Sequence, residues 1–290
     1  MSAVLQPASV TQDLAGPNVC LLGEGGTGKT YSLGTLADWC QLHQKEMFVL
    51  FVENSLETLL GYWKDRGLEV PACLRWHQTH TKAVSLTQMV KVANDVGTFS
   101  YELLTKMSDN NRGGDNNAFW RILSACSNFK DDRTGKDFGP VDKFGLDKVF
   151  ALDSFTELGN AAAKMVIGSK PTMAPPEYGV AQNNIMNFIR LCTQGIPCTF
   201  VMTAHPQRDK DEISGSIKTT ISTGGIGTAI IPQIPPLFSD MIWTVREGDK
   251  FFWDTAAYGV TTKTRSLGYR SKIEPNFAAI MDLWVKRGGK

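Results

Sequence analysis

Residues 23–30 read Gly23-Glu24-Gly25-Gly26-Thr27-Gly28-Lys29-Thr30, which matches the phosphate-binding pattern Gly-x-x-x-x-Gly-Lys-[Ser/Thr] at every fixed position. Val19, Cys20, Leu21 and Leu22 form an apolar run just before it. Just after it, Leu33, Leu36, Ala37 and Cys40 recur on one side of a predicted helix over 31–42. Strand, glycine turn and helix, in that order, form the setting the pattern needs.

The chemistry explains the residue types. Glycines at 23, 25, 26 and 28 let the backbone curl until successive N–H groups face the phosphates, and the helix starting near Lys29 adds its positive end. Gly25, Gly26, Thr27, Gly28, Lys29 and Thr30 are therefore the expected grip on ATP. Lys29 reaches the terminal phosphates, and the Thr30 hydroxyl ligates Mg²⁺. A glycine-rich linker would need neither the Lys-Thr pair nor the flanking strand and helix.

Composition bounds the function. With 290 residues, 42% hydrophobic and 20% charged, the chain reads as an ordinary soluble globular protein, one domain of upper-normal size. A formal charge of +1 makes any nucleic-acid contact local and excludes a non-specific DNA coater. The cysteines at 20, 40, 73, 126, 192 and 198 form no Cys-x-x-Cys pair, so they read as reduced thiols without a zinc site or disulfide frame. Residues 1–17 lack the basic start and long apolar run of a secretory signal, and no apolar stretch approaches membrane length. A cytoplasmic protein with no membrane partner is expected.

Three further strands matter. Residues 46–52 are densely apolar, as in a strand buried on both faces, and end in Glu53-Asn54-Ser55. Glu53 is thus placed to orient water beside the phosphates, and Ser55 is placed to cap the next helix, with Leu56, Leu59 and Leu60 inward. Residues 148–153 run apolar into Asp153, the expected partner of Thr30 in holding Mg²⁺. Residues 197–203 deliver Ala204 and His205 to the same sheet edge, where ligands bind in open α/β sheets. His205 reads either as a γ-phosphate sensor or as a histidine satisfied by local backbone.

The remainder divides by composition. Residues 1–17 read as a loose arm, 98–147 as peripheral decoration, 207–236 as a flexible loop, and 286–290 as a polar tail. Helices are expected over 85–96, 119–129, 156–167, 178–194 and 280–285, with a proline-rich loop at 170–176. The Gly, Ser, Thr and Ile-rich loop around Lys218 suits contact with a nucleic-acid backbone without base reading, or a plain surface loop. Residues 250–255 read as a strand pairing with either 241–245 or 260–264. Lys263 and Arg265 close this ribbon, as solvated charges or as cations reaching a neighbour's γ-phosphate in a ring.

Taken together these residues resemble the RecA-like P-loop ATPase core. The likeness rests on the Lys-Thr phosphate loop, Glu53 ending the second strand, Asp153-Ser154, the polar end of the next strand, then a flexible loop and a Lys-x-Arg ribbon. It spans residues 18–285 in outline, with 98–147 poorly matched. Among relatives, the short phage single-strand annealing ATPases look closest, through Pro236-Leu237-Phe238-Ser239-Asp240 and the later Lys263-Thr264-Arg265. RecA-like recombinases usually carry Asn-Gln where this chain has Ala204-His205.

The resemblance implies an α/β fold with a mainly parallel central sheet flanked by helices and a carboxyl-terminal antiparallel ribbon. It further implies an Mg-ATPase, with Glu53 activating water, Lys263 and Arg265 acting between subunits of a ring or filament, and Lys218 in the DNA loop. Single-stranded DNA in phage recombination or replication is the implied partner. Alternatives are a DNA packaging or helicase-like motor, and a scaffold that nucleotide locks into an assembly.

Overall fold

The computed structural model describes residues 14–79, 118–168, 172–210 and 217–290, with positions 87, 90, 94 and 215 besides. The helix expected over 85–96, apart from three isolated positions, lies outside the described residues, as do 98–117 and the first 13 residues of the arm.

The chain runs β1 (Asn18–Leu22), α1 (Lys29–Leu42), β2 (Glu46–Phe51), α2 (Leu56–Lys64), β3 (Leu74–Gln78), α3 (Ala118–Ser127), β4 (Lys148–Asp153), α4 (Phe155–Ile167) and α5 (Pro175–Arg190). It continues through β5 (Thr199–Ala204), β6 (Pro206–Lys210), β7 (Ile217–Ile221), β8 (Asp240–Glu247), β9 (Lys250–Asp254) and α6 (Ala278–Lys286). Seven strands form one sheet in the order β3-β2-β4-β5-β1-β8-β9, and β6-β7 is a separate hairpin. All pairings in the large sheet are parallel except β8 with β9. This is the expected α/β fold, a mainly parallel central sheet flanked by helices with a carboxyl-terminal antiparallel ribbon.

Burial on both faces explains why the central strands read as continuous apolar runs. In β2, Met47, Val49 and Phe51 join Leu33, Leu36, Ala37 and Cys40 of α1 on one face. Phe48 and Leu50 turn to the other, with Phe150, Phe200 and the helices α3 to α5. Each phenylalanine ring taken from water stabilises the fold by about 1.5–3 kcal/mol.

Several expectations change. Residues 118–147 are not peripheral: Phe119, Ile122, Phe129 and Phe144 are buried in the core, and the Phe48 ring packs against Phe129 and Phe144 at centroid distances of 5.2 and 4.5 Å. The polar loop that hid this is itself tied inward, because buried Asp131 accepts from the Trp76 amide at 3.2 Å and the Thr134 hydroxyl at 2.6 Å. The stretch 207–236 contains the β6–β7 hairpin, its register pairing Arg208 with Thr219 and Asp209 with Lys218. Four β-branched residues of β7, Ile217, Thr219, Thr220 and Ile221, supply the strand propensity that its glycine-rich flank obscured. Pro175 and Pro176 open α5 instead of ending a loop, since a proline in the first turn forfeits no helical bond, and the Glu177 carboxylate accepts from the Ala174 amide at 2.8 Å. Of the two pairings open to 250–254, the chain adopts the one with β8, while Val260 and Lys263 make single bridges to Thr219 and Met241.

Candidate nucleotide site

Register gathers the site. Leu22 of β1 lies beside Ala204 of β5, Leu152 of β4 beside Met202, and Phe51 of β2 beside Asp153. The next residues out of those strands are Gly23, His205 and, two along, Glu53. Four chain segments therefore leave the sheet along one edge, the carboxyl edge of its parallel strands.

The phosphate loop is a shallow cradle with a firm back. Gly26 and Gly28 take φ of 75° and 83°, the left-handed region that glycine enters without a Cβ penalty. A Cβ on Gly23 would collide with Thr244, and one on Gly28 would lie 2.6 Å from Cγ of Phe251. The β8–β9 ribbon thus backs the loop. On its other side, Cβ atoms at Gly25 or Gly26 would meet nothing within 4 Å, which leaves room for phosphates at the mouth. The Thr27 hydroxyl anchors the turn, donating to the Glu24 carbonyl at 2.8 Å and lying 2.7 Å from the Thr244 hydroxyl.

Lys29 is 6% exposed, and its Nζ donates to the carbonyls of Gly23 and Glu24 at 2.7 and 2.8 Å. Burial pulls its pKa down, and the charges of Asp153, Glu53 and Glu24 oppose that pull. The ammonium is therefore held over its own loop by carbonyls that phosphate oxygens can replace.

Asp153 is fully buried. Its Oδ2 accepts from the Thr30 hydroxyl at 2.8 Å and the Ser55 hydroxyl at 2.6 Å, and its Oδ1 accepts from the Thr203 hydroxyl. Burial pushes its carboxyl pKa up, the Glu53 charge pushes it further, and the three hydroxyls hold it back. A buried carboxylate held by hydroxyl donors offers the hard oxygen that a divalent ion takes. Thr30 and Asp153 supply the hard oxygen donors that Mg²⁺ takes alongside phosphate oxygens and water. Among the described residues no group of three or more His, Cys, Asp or Glu could hold a metal ion.

Glu53 faces His205, with Oε2 and Nε2 3.4 Å apart. Burial raises the Glu53 pKa, but the hydrogen bond and charge of His205, with Lys29, outweigh it, and the net direction is down. His205 is fixed from behind, its amide donating to the Thr156 hydroxyl at 3.0 Å. The partner of the His205 ring is thus the Glu53 carboxylate and not local backbone.

The structure thus brings Lys29, Thr30, Glu53, Asp153 and His205 together. Lys218 is exposed on β7, and Lys263 and Arg265 lie behind the phosphate loop. Lys263 bridges to Met241, which pairs with Cys20, so it sits about 10 Å back from Gly23 along the strand direction. Its Nζ donates to the Phe238 carbonyl at 2.6 Å and the Pro235 carbonyl at 3.3 Å. Buried Asp240 accepts from the Thr264 hydroxyl at 2.8 Å and from the Arg265 and Ser266 amides at 3.0 Å. Lys263-Thr264-Arg265 is thereby a structural turn of its own chain, which leaves only the Arg265 side chain exposed.

Sequence reasoning missed four contributors. Ser55 was expected to cap α2, yet its hydroxyl turns to Asp153, the stronger acceptor, and no side-chain cap forms. Thr203 is a hydroxyl inside a buried apolar strand, a signal readable once β5 is placed next to β4. Thr244 and Phe251 left no local signal, because their role depends on the sheet order.

No family model matches the chain, and no curated protein matches its sequence. Among solved structures the fold is similar to a prototypical ATPase from the type III secretion system of pathogenic bacteria, at 12% identity and a TM-score of 0.39, covering 80% of this chain and 53% of that one. It is also similar to the assembled ATPase EscN in complex with its central stalk EscO from the enteropathogenic E. coli type III secretion system, at 11% identity and a TM-score of 0.42, covering 87% and 47%. The chain spans about half the length of those structures. The sheet order and the loop geometry stand on their own. Among the described residues no helix is long and apolar enough to cross a membrane.

Proposed function

We propose that this protein is a magnesium-dependent ATPase that acts as a ring or filament on single-stranded DNA. The observation that carries the ATPase reading is the 2.8 Å hydrogen bond from Thr30 to buried Asp153, beside a lysine seated on an open phosphate loop. The loop amides and Lys29 grip the phosphates of ATP. Mg²⁺, held through Thr30 and Asp153, supplies positive charge to the phosphate oxygens. Glu53, kept ionised by His205, orients the attacking water, whose oxygen bonds to the γ-phosphorus as the bond to the ADP oxygen breaks. Catalysis of this kind is placement and charge stabilisation.

The DNA part of the reading rests on exposed Lys218, on a hairpin that begins one residue after His205. Oligomerisation rests on Arg265, exposed on its turn and far from its own phosphate loop; in a ring or filament it reaches the neighbour's nucleotide, while Lys263 fixes that turn. ATP turnover measured with and without single-stranded DNA, while light scattering sizes the particle, tests the whole reading. Expected are DNA-stimulated turnover in an oligomer and its loss in Lys29→Ala. Normal turnover in Lys29→Ala rules the site out. Nucleotide-dependent assembly without DNA stimulation favours a scaffold, and directional movement on DNA favours a motor.

A further inference from the structure

Arg208, the third residue after His205, reaches back from β6 to the phosphate loop, its Nη2 lying 2.8 Å from Oε1 of Glu24. Glu24 is the second residue of that loop, and its carbonyl is one of the two that hold the Lys29 ammonium. A guanidinium from the hairpin thus rests on Glu24, the loop residue next to Gly25 and Gly26, where the cradle is open. Both partners are largely in water, with side chains 65% and 50% exposed, so the contact is weak and readily exchanged.

We infer that Arg208 is a ligand of the terminal phosphate of a bound nucleoside triphosphate, supplied by the same subunit and parked on Glu24 when the loop is empty. The inference rests on the loop being a nucleotide site. Three observations argue for it. A triphosphate brings to the mouth a charge several times that of Glu24, so it outcompetes one solvated carboxylate for a planar, five-donor cation. Arg208 is covalently close to His205, which faces Glu53, so the cation lies on the side of the site where the γ-phosphate must sit for Glu53 to aim water at it. Lys263 and Arg265 lie level with Cys20 and Val19, behind the loop, whereas the Arg208 guanidinium reaches Glu24 of the loop itself.

A diphosphate lacks the group that Arg208 would meet. The residue therefore distinguishes the triphosphate from its product, and it transmits that distinction to the hairpin bearing Lys218, since Arg208 pairs with Thr219 in register.

The test is binding of fluorescent ADP and of a slowly hydrolysed ATP analogue, with Mg²⁺, to the full chain and to Arg208→Ala, Arg208→Lys and Glu24→Gln. Arg208→Ala should weaken the ATP analogue about tenfold or more and leave ADP within about twofold. Arg208→Lys should recover part of the loss, and Glu24→Gln, which frees the guanidinium, should tighten the ATP analogue. Equal weakening of both nucleotides by Arg208→Ala would show that Arg208 merely braces the loop, and no weakening of either would show that it is a bystander; each overturns the inference while leaving the nucleotide site intact. Failure of the unaltered chain to bind either nucleotide overturns the site itself, and the inference with it.

Discussion

Nε2 of His205 stands 3.4 Å from Oε2 of Glu53, joining the ends of two strands that are not neighbours in the sheet. Strand β4, carrying Asp153, runs between them. The two carboxylates consequently experience opposite fields: Asp153 is pushed toward its protonated form by burial and by Glu53, while Glu53 is held ionised by the histidine. Glu53 is thus paired with a histidine, and Asp153 is held by the hydroxyls of Thr30, Ser55 and Thr203.

Glu53→Gln keeps the size of the side chain and removes its charge. Turnover should fall by about 10²–10⁴-fold with nucleotide affinity little changed, and His205→Ala should produce a smaller loss in the same direction. Phosphate release in steady state, set against the dissociation constant for fluorescent ADP, separates the two effects. A Glu53→Gln protein with undiminished turnover removes Glu53 from the mechanism.

Gly28 carries two demands, a φ of 83° and an approach that would put any Cβ 2.6 Å from the Phe251 ring. Gly28→Ala should cost about 1–2 kcal/mol from the backbone alone and abolish nucleotide binding. Adding Phe251→Ala relieves the collision but not the dihedral, so it should restore the fold more than the binding. Thermal melts and ADP titrations of the single and double variants check this.

Phe48 packs against Phe129, Phe138 and Phe144, three rings from a stretch that sequence alone consigned to the periphery. Phe48→Ala should destabilise the protein by about 3–5 kcal/mol. Because Phe129→Ala opens the same space, the double variant should lose less than the sum. Additive losses in urea melts would mean that 118–147 does not share the core.

Burial drives the Cys20, Cys126 and Cys198 thiols up to about 12 from an ordinary value of 9.0, and pushes Cys40 and Cys192 up as well. A thiol that keeps its proton in the fold but loses it when unfolded stabilises the fold fully below about pH 9 and progressively less above it. The loss is about 1.4 kcal/mol per thiol for each pH unit over that range. Urea midpoints should therefore fall steeply between pH 9 and 10.5, and Cys20→Ala should flatten the slope by about one proton. At neutral pH, alkylation of the native protein should touch Cys73 first, since it is the least buried of the six with a pKa raised only to about 11. Rapid labelling of Cys20 before unfolding would contradict the burial.

Much of this was legible in the sequence because the site uses strand ends. Apolar runs stopping at Leu22, Glu53, Asp153 and His205 mark where the chain leaves the sheet, and the fold simply aligns those points. What stayed hidden depends on neighbours distant in the chain. Thr244 and Phe251 back the phosphate loop only because β8 pairs with β1, and the inward role of 118–147 is masked by a polar loop whose Asp131 is satisfied internally. The Lys263-Thr264-Arg265 turn shows the reverse error. The Lys263 ammonium, which looks free in sequence, is spent on the Phe238 and Pro235 carbonyls, and Asp240 is satisfied by hydroxyls and by the Arg265 and Ser266 amides.

The strand carrying the phosphate loop waits long for a partner. Its two neighbours, β5 and β8, begin at Thr199 and Asp240, so during synthesis β1 stays unpaired until the chain has grown past residue 199. β2 and β4 can pair well before that. A growing chain therefore builds its acidic half-site early and cannot grasp a nucleotide until late, and any fragment ending before residue 199 carries the signature loop on a strand with no neighbour to hold it.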